Sequence, residues 1–150
     1  YVSLFTLGHS ITLMGGVLLE WNVNAYLIDA IIGLSVAYKA FENINGFKQV
    51  FGFTLNARAA VLIFGLFHGL GLATKLQGLS LSADSLVINM LSFNVGVEIG
   101  QALALACIVV ILGQWRQRNS FQKQAFAANT VLMSLGFMLA GYQFSAYLWA

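Results

Sequence analysis

Two histidines of this 150-residue chain lie inside long apolar stretches, and the chain has no others. His9 occurs in FTLGHSITL and His68 in FGLFHGLGLA, where Gly65, Gly69 and Gly71 allow a neighbouring helix to approach closely. Neutral imidazole is the most common metal ligand among protein side chains. A histidine on an apolar helix can equally be a core residue bonded to a carbonyl. The two histidines therefore indicate either a shared metal site or separate buried residues.

A carboxylate in another apolar stretch adds a third candidate ligand. Glu98 lies in SFNVGVEIGQALA, four residues after Asn94 and three before Gln101, a spacing that puts all three side chains on one helix face. Because an ionisable group at mid-depth in a bilayer is costly, we favour a functional role for Glu98 over one that only joins helices. With His9 and His68, it would offer one ion both nitrogen and oxygen ligands.

The composition indicates that these residues lie on membrane-spanning helices. Hydrophobic residues make up 59% of the chain and charged residues 8%, which excludes a soluble globular domain and a disordered tail. A helix needs about 20 mostly apolar residues to span a bilayer, and continuous apolar runs argue against barrel strands. We predict an all-α polytopic membrane protein with a single domain over residues 1–150. It should be a bundle of about five transmembrane helices, near residues 1–19, 25–41, 59–74, 85–112 and 125–148.

Basic residues are distributed unequally between the predicted loops, whose short lengths predict that consecutive helices pack antiparallel. Loops 20–24 and 75–84 share one side of the membrane and have Lys75 alone. Loops 42–58 and 113–124 share the other side and have six basic residues in or beside them, namely Lys39, Lys48, Arg58, Arg116, Arg118 and Lys123. Because basic loops stay in the cytoplasm, we expect loops 42–58 and 113–124 to be cytoplasmic and the C-terminus to face outside.

Other kinds of site find little support in the sequence. A net charge of +2 is too small for a nucleic-acid interface, so no nucleic-acid partner is expected. The single cysteine, Cys107, excludes an internal disulfide. Phosphate-binding loops, C-x-x-C and H-E-x-x-H motifs are absent from the sequence. Ser10 directly follows His9, so their side chains point in different directions on a helix and do not favour a catalytic dyad.

Four motifs in fixed order resemble the HupE/UreJ family of bacterial membrane proteins. They are FTLGHSITL, IDAIIGLSVAYKAFEN, FGLFHGLGLA and LSFNVGVEIGQ, and they cover roughly residues 5–105, while the fifth segment matches only as an apolar helix. Carried over position by position, the family motifs fall on His9 and Ser10, Glu42 and Asn43, His68 and Gly69, and Asn94, Glu98 and Gln101. Without the resemblance, Glu42 would be a residue of a solvated helix end, with the snorkelling Lys39 one turn earlier. The resemblance implies that Glu42 lies at the edge of a site.

Two features depart from the family pattern. Members have a preceding helix with a histidine-rich stretch of the form H…G-x-D-H, which this sequence lacks, and Asp29 stands where a glutamate is expected. The chain begins at Tyr1, directly in an apolar stretch. We therefore expect it to be a fragment trimmed at its N-terminus, in which some ligands of the family are not seen.

The resemblance implies a function in metal handling, since the family is associated with the gene clusters of hydrogenase and urease, both nickel enzymes, and is described as nickel or cobalt permease-like. It implies a permease of the bacterial inner membrane for a divalent transition metal, with nickel first and cobalt or zinc as alternatives. His9, His68 and Glu98 would be metal ligands. The residues lining the path or supporting the ligands would be Ser10, Glu42, Asn43, Asn94 and Gln101.

Two other functions stay open beside transport, which we favour over catalysis. An intramembrane metal-dependent hydrolase would use a fixed metal to activate water, with Glu98 or Glu42 as base. An accessory structural subunit of a larger membrane complex would use the polar residues only to join helices. The expected partners are the lipid bilayer and a metal ion, with a homo-oligomer or a larger membrane complex as further possibilities.

Overall fold

The computed structural model describes residues 2–77 and 86–150, and within these ranges it consists of helices and short connections without a strand. The helices are α1 (Val2–Leu18), α2 (Ala25–Asn43), α3 (Gly46–Phe51), α4 (Ala57–Gln77), α5 (Leu86–Arg116) and α6 (Phe121–Trp149). The all-α prediction is confirmed, since each of the five predicted spans coincides with one long helix. The short helix α3 was not predicted and lies inside predicted loop 42–58.

The long helices have the dimensions of membrane spans. Helices α4, α5 and α6 are long and apolar enough to cross a bilayer, and α1 is an apolar helix of 17 residues. Helix α2 has 19 residues, or about 28 Å at 1.5 Å per residue, and its sequence includes the charged residues Asp29, Lys39 and Glu42. These three lie toward its ends, where charged groups reach the headgroup region most easily. The chain is therefore a membrane protein.

Helices α1 and α4 run in the same direction and are in direct backbone contact. A Cβ atom added at Gly8 would lie 2.7 Å from a backbone oxygen of α4. One added at Gly65 would overlap the backbone of Phe5, and one at Gly69 would overlap the backbone of His9. Only glycine allows such close packing, which is the usual way for helices to associate within lipid.

Helices α2 and α6 form a second close pair, and they run in opposite directions. A Cβ atom at Gly33 would lie 2.9 Å from the backbone nitrogen of Ala140, and one at Gly136 would lie 2.8 Å from that of Ala37. Helix α2 also packs on α4 and so joins the two pairs. The bundle is thus two glycine-packed helix pairs held side by side.

Helix α5 lies at the edge of the bundle. Near its start, Met90 is buried against Leu13 and Val17 of α1 and Ala73 of α4. Farther along, none of the residues in the most apolar stretch of α5 is buried. Because this long helix makes few contacts with the other helices that the structure describes, its apolar surface is available to lipid or to another protein.

Two expectations about helix packing and loops need correction. Among the spanning helices, consecutive ones pack together only for α2 and α4, while the closest contacts join α1 to α4 and α2 to α6. Loop length fixes helix direction, but close packing occurs where small residues lie. The connection predicted at 113–124 is only 117–120, because α5 continues to Arg116 and α6 begins at Phe121. In predicted loop 75–84, α4 continues to Gln77 and the remainder lies outside the described residues.

Substituting Gly65 with alanine tests the contact between α1 and α4. Gly65→Ala puts a methyl group into the backbone of Phe5 and should lower the free energy of unfolding by about 1–3 kcal/mol. Gly141→Ala is the matched control, because nothing lies within 4 Å of a Cβ at Gly141, and it should leave stability unchanged or raise it by up to about 1 kcal/mol. Thermal unfolding of the purified protein in detergent measures both. Equal effects of the two substitutions would contradict the contact.

Candidate metal centre

The two histidines lie side by side at the contact of α1 and α4. The ring centroids of His9 and His68 are 5.6 Å apart, and the ring planes are inclined by 42°. Gly69, the residue after His68, lies against the backbone of His9, so the glycine contact itself brings the two rings together. His9 is only 2% exposed, whereas His68 is exposed. The pair therefore has one side buried between the helices and one side open.

The imidazole of His9 is buried without hydrogen bonds from the described residues. Neither Nδ1 nor Nε2 has a partner, although a neutral imidazole has one donor and one acceptor to satisfy. Burial of unpaired polar atoms is unfavourable, and nearly all buried polar groups in proteins find a partner in protein, water or an ion. The chemistry of His9 therefore suits an additional ligand, and a metal ion is one that imidazole binds readily.

The spacing of the two rings fits one shared metal ion. Imidazole nitrogens bind metals such as zinc at about 2.0–2.1 Å, which puts two ring centroids roughly 4.5–6.4 Å apart for ligand angles between about 90° and 180°. The observed separation of His9 and His68 is 5.6 Å. Two imidazoles alone leave most coordination positions open, so this pair could bind an ion only together with further ligands such as water or a carboxylate.

An aromatic side chain that the sequence analysis overlooked borders both imidazoles. Phe5 lies one turn before His9 on α1, and its ring is nearly parallel to the His9 ring, with centroids 6.3 Å apart and an angle of 7°. Its centroid lies 5.5 Å from that of His68. The spacing of four residues between Phe5 and His9 is the one signal that could have identified it. Phe5 covers one side of the pair with an apolar surface.

Glu98 is not grouped with the histidines. It is exposed on α5, and among the residues that the structure describes no three His, Cys, Asp or Glu lie together as a metal-binding group. Ser10 donates a hydrogen bond to Asn94 at 3.2 Å, and Thr6 donates one to Gln101 at 3.1 Å. Glu98 lies within about one turn of these two acceptors on α5, but its own side chain is exposed. The three-ligand site stays a prediction.

Glu42 and Asn43 lie at the end of α2, away from the imidazoles along the helix axis. The Glu42 carboxylate forms an ion pair with Lys39, with Nζ and Oε2 2.6 Å apart. The side-chain amide of Asn43 donates to Oδ1 of Asn129 on α6 at 3.0 Å. Both residues border cavities at this end of the bundle. Glu42 and Asn43 thus lie at the end of the bundle where α2 ends. Their roles as residues lining a path stay predictions.

Comparison with known proteins gives one informative result. A family model described as HupE / UreJ protein matches residues 1–150, the whole chain. No curated protein and no solved structure matches at a significant level. The sequence resemblance noted above over residues 5–105 thus extends across all of the described helices.

The unpaired nitrogens of His9 lead to a stability prediction in the presence of a metal chelator. His9→Leu removes two buried polar atoms without partners, so the substituted protein should be as stable as the parent or more stable by about 1 kcal/mol. Thr12→Val is the contrast, because Oγ1 of Thr12 donates to the carbonyl of Leu66 at 2.7 Å, and its loss should cost about 1 kcal/mol. Thermal unfolding in detergent with chelator distinguishes them. A marked loss of stability in His9→Leu would mean that the imidazole already has a partner.

Proposed function

The chain belongs to the HupE/UreJ family, and from that premise we propose that it is a permease for a divalent transition-metal ion. Nickel is the first candidate substrate, with cobalt and zinc as alternatives, because imidazole ligands suit all three and affinity alone does not select among them. The observation that carries the proposal is the buried His9 ring with two unpaired nitrogens beside His68. Family membership and apolar helices support transport across a membrane rather than chemistry in water.

The depth of the histidine pair supports a role in permeation. His9 is the eighth residue of the 17-residue helix α1, and His68 is the twelfth residue of the 21-residue helix α4. Both therefore lie near the middle of their helices, where an ion crossing the bilayer has lost most of its water. Ionisable residues at this depth usually mark ion or substrate pathways. A pair of imidazoles there would replace part of the hydration shell.

Weak and incomplete ligation suits a site that must release its ion. Two neutral imidazoles contribute no negative charge, so the charge of a divalent cation would have to be balanced by another residue. We assign that role to Glu98, which lies within about one turn of Asn94 and Gln101 on α5. Beyond Met90 this helix makes few contacts, so little packing is lost when Glu98 approaches or leaves the imidazoles. Asn94 and Gln101 would keep α5 in register through their bonds to α1.

The proposed location is the inner membrane of a bacterium, with residues 44–56 and 117–120 on the cytoplasmic side. A hydrogen bond supports the placement of these two connections on the same side of the membrane. Asn43 at the end of α2 bonds to Asn129 near the start of α6. At the opposite end, Lys75 of α4 pairs with Asp29 near the start of α2 at 3.4 Å. Basic residues cluster at the first of these ends, which is the arrangement of cytoplasmic loops.

Nickel binding to the purified protein tests the proposal. His68→Asn keeps a polar group but removes one imidazole nitrogen, and Glu98→Gln keeps the shape of the side chain but removes its charge. Each should weaken nickel binding, measured by calorimetry, by about tenfold or more, and should reduce uptake of radioactive nickel by cells that express it. Glu20→Gln is the control, since Glu20 lies in the connection before α2, and it should bind nickel like the parent.

The outcomes separate the competing functions. Unchanged nickel binding in His68→Asn would overturn the proposed site. Loss of binding in His68→Asn with full binding in Glu98→Gln would keep the imidazole pair and remove Glu98 from it. A parent protein that binds no divalent metal would favour an accessory structural subunit.

A further inference from the structure

Two cavities adjoin at the end of α2 that carries Glu42. The outer cavity, about 280 Å³, lies between the end of α2 and residues 45–55, and it is bordered by Glu42, Asn45 and Thr54. The inner cavity, about 330 Å³, lies where α1, α2, α4 and α6 meet. Lys39 and Asn43 border both. The two cavities therefore adjoin at these side chains, and they lie in sequence from the end of α2 toward the middle of the helices.

The inner cavity ends at Phe5. This residue borders the cavity, whereas neither histidine does, and the same Phe5 ring is packed against both imidazoles. The aromatic ring thus lies between the cavity and the histidine pair. An ion moving from the cavity to the buried His9 would have to pass it.

The inner cavity is lined mainly by apolar side chains, with a few polar groups at its border. Ser35, Asn43 and Asn129 border it from α2 and α6. Oδ1 of Asn129 accepts a hydrogen bond from Asn43, which leaves the oxygens of Ser35 and Asn43 to contact a hydrated cation. Lys39 also borders it, but the Glu42 carboxylate lies 2.6 Å from its ammonium group. Because that ion pair offsets the lysine charge, the cavity is less repulsive to a cation than a free lysine would make it.

The Phe5 ring has space into which it can turn. A third cavity, of about 340 Å³, lies on the α5 side of α1, and it is bordered by Phe5, Val61 and Gln101. Phe5 is thus positioned between two cavities, one of which leads to the surface. A change of side-chain rotamer would move the ring away from the inner cavity without moving the glycine-packed backbones of α1 and α4.

We propose that the outer and inner cavities form the route of the metal ion between the histidine pair and the aqueous phase, and that Phe5 is the gate of this route. The proposal rests on the permease function, because it concerns access to the same site. The Phe5 ring acts here as an apolar barrier and does not bind the metal ion. Its ring excludes water and ions from the buried His9 when it covers that imidazole and admits them when it turns aside.

Cysteine accessibility tests the gate without any metal. In a background of Cys107→Ala, the variant His9→Cys puts a single thiol behind Phe5. A small, charged, membrane-impermeant thiosulfonate reagent is added to sealed vesicles of each orientation. With Phe5 intact the thiol should react slowly. Adding Phe5→Ala should accelerate the reaction about tenfold or more from the face that carries residues 44–56, since the open fraction of the gate sets the rate.

Three further variants keep the test decisive. Leu7→Ala truncates a side chain on α1 that is 53% exposed, and it should not accelerate the reaction at position 9. Ser35→Cys puts the thiol in the inner cavity, where it should react from the same face at a rate independent of Phe5. That reaction also reports whether the Phe5 variants are folded, and Phe5→Leu serves as a milder truncation with an intermediate effect.

The results that would contradict the route or the gate can be distinguished from results that would contradict the permease function. A thiol at position 35 that is inert from both faces would overturn the route. A rate at position 9 that Phe5→Ala leaves unchanged, or that Leu7→Ala raises equally, would overturn the gate. Because His9→Cys removes a proposed ligand and the assay contains no metal, these outcomes do not depend on nickel binding by the parent protein.

Discussion

Inside a bilayer the lipid tails are as apolar as leucine, so helices associate where their backbones can approach closely. In this chain that condition is met where Gly65 and Gly69 of α4 lie against the backbone of Phe5 and His9 on α1. The contact leaves no space for even a methyl group. It also fixes the positions of the residues beside it, and one of these is His68. The imidazole pair is therefore a consequence of glycine packing, and a shift of either helix would separate the rings.

The same arrangement concentrates rigidity in the two helix pairs and leaves α5 at the edge. A transport site needs both a fixed part, which defines the ligands, and a movable part, which allows an ion to enter and leave. In the proposed permease, the α1–α4 pair would supply the fixed part through His9 and His68. The movable parts would be the Phe5 side chain on one side of the imidazoles and Glu98 on the loosely packed helix α5. Neither requires the backbone contacts of the helix pairs to break.

The position of His9 and His68 within apolar segments was enough to single them out as candidate ligands. Few polar residues are tolerated in lipid, so each one is conspicuous in the sequence. The five long helices followed from the lengths of the apolar runs for the same reason. The pairing of α1 with α4 and of α2 with α6 could not be predicted, since a helix surrounded by lipid has no polar face to mark its exterior. The glycines indicated close packing but not the partner. Phe5 was overlooked because it is one of 12 phenylalanines and only its neighbours in space distinguish it.

X-ray absorption at the nickel edge tests most directly whether His9 and His68 bind one ion together. We expect scattering from two imidazole rings in the nickel-loaded parent protein and from one ring in His68→Asn. If one ring is lost while nickel stays bound, the imidazole that remains is that of His9, since the chain has only two histidines. A spectrum of the parent protein without imidazole scattering, or one that His68→Asn leaves unchanged, would contradict the shared site.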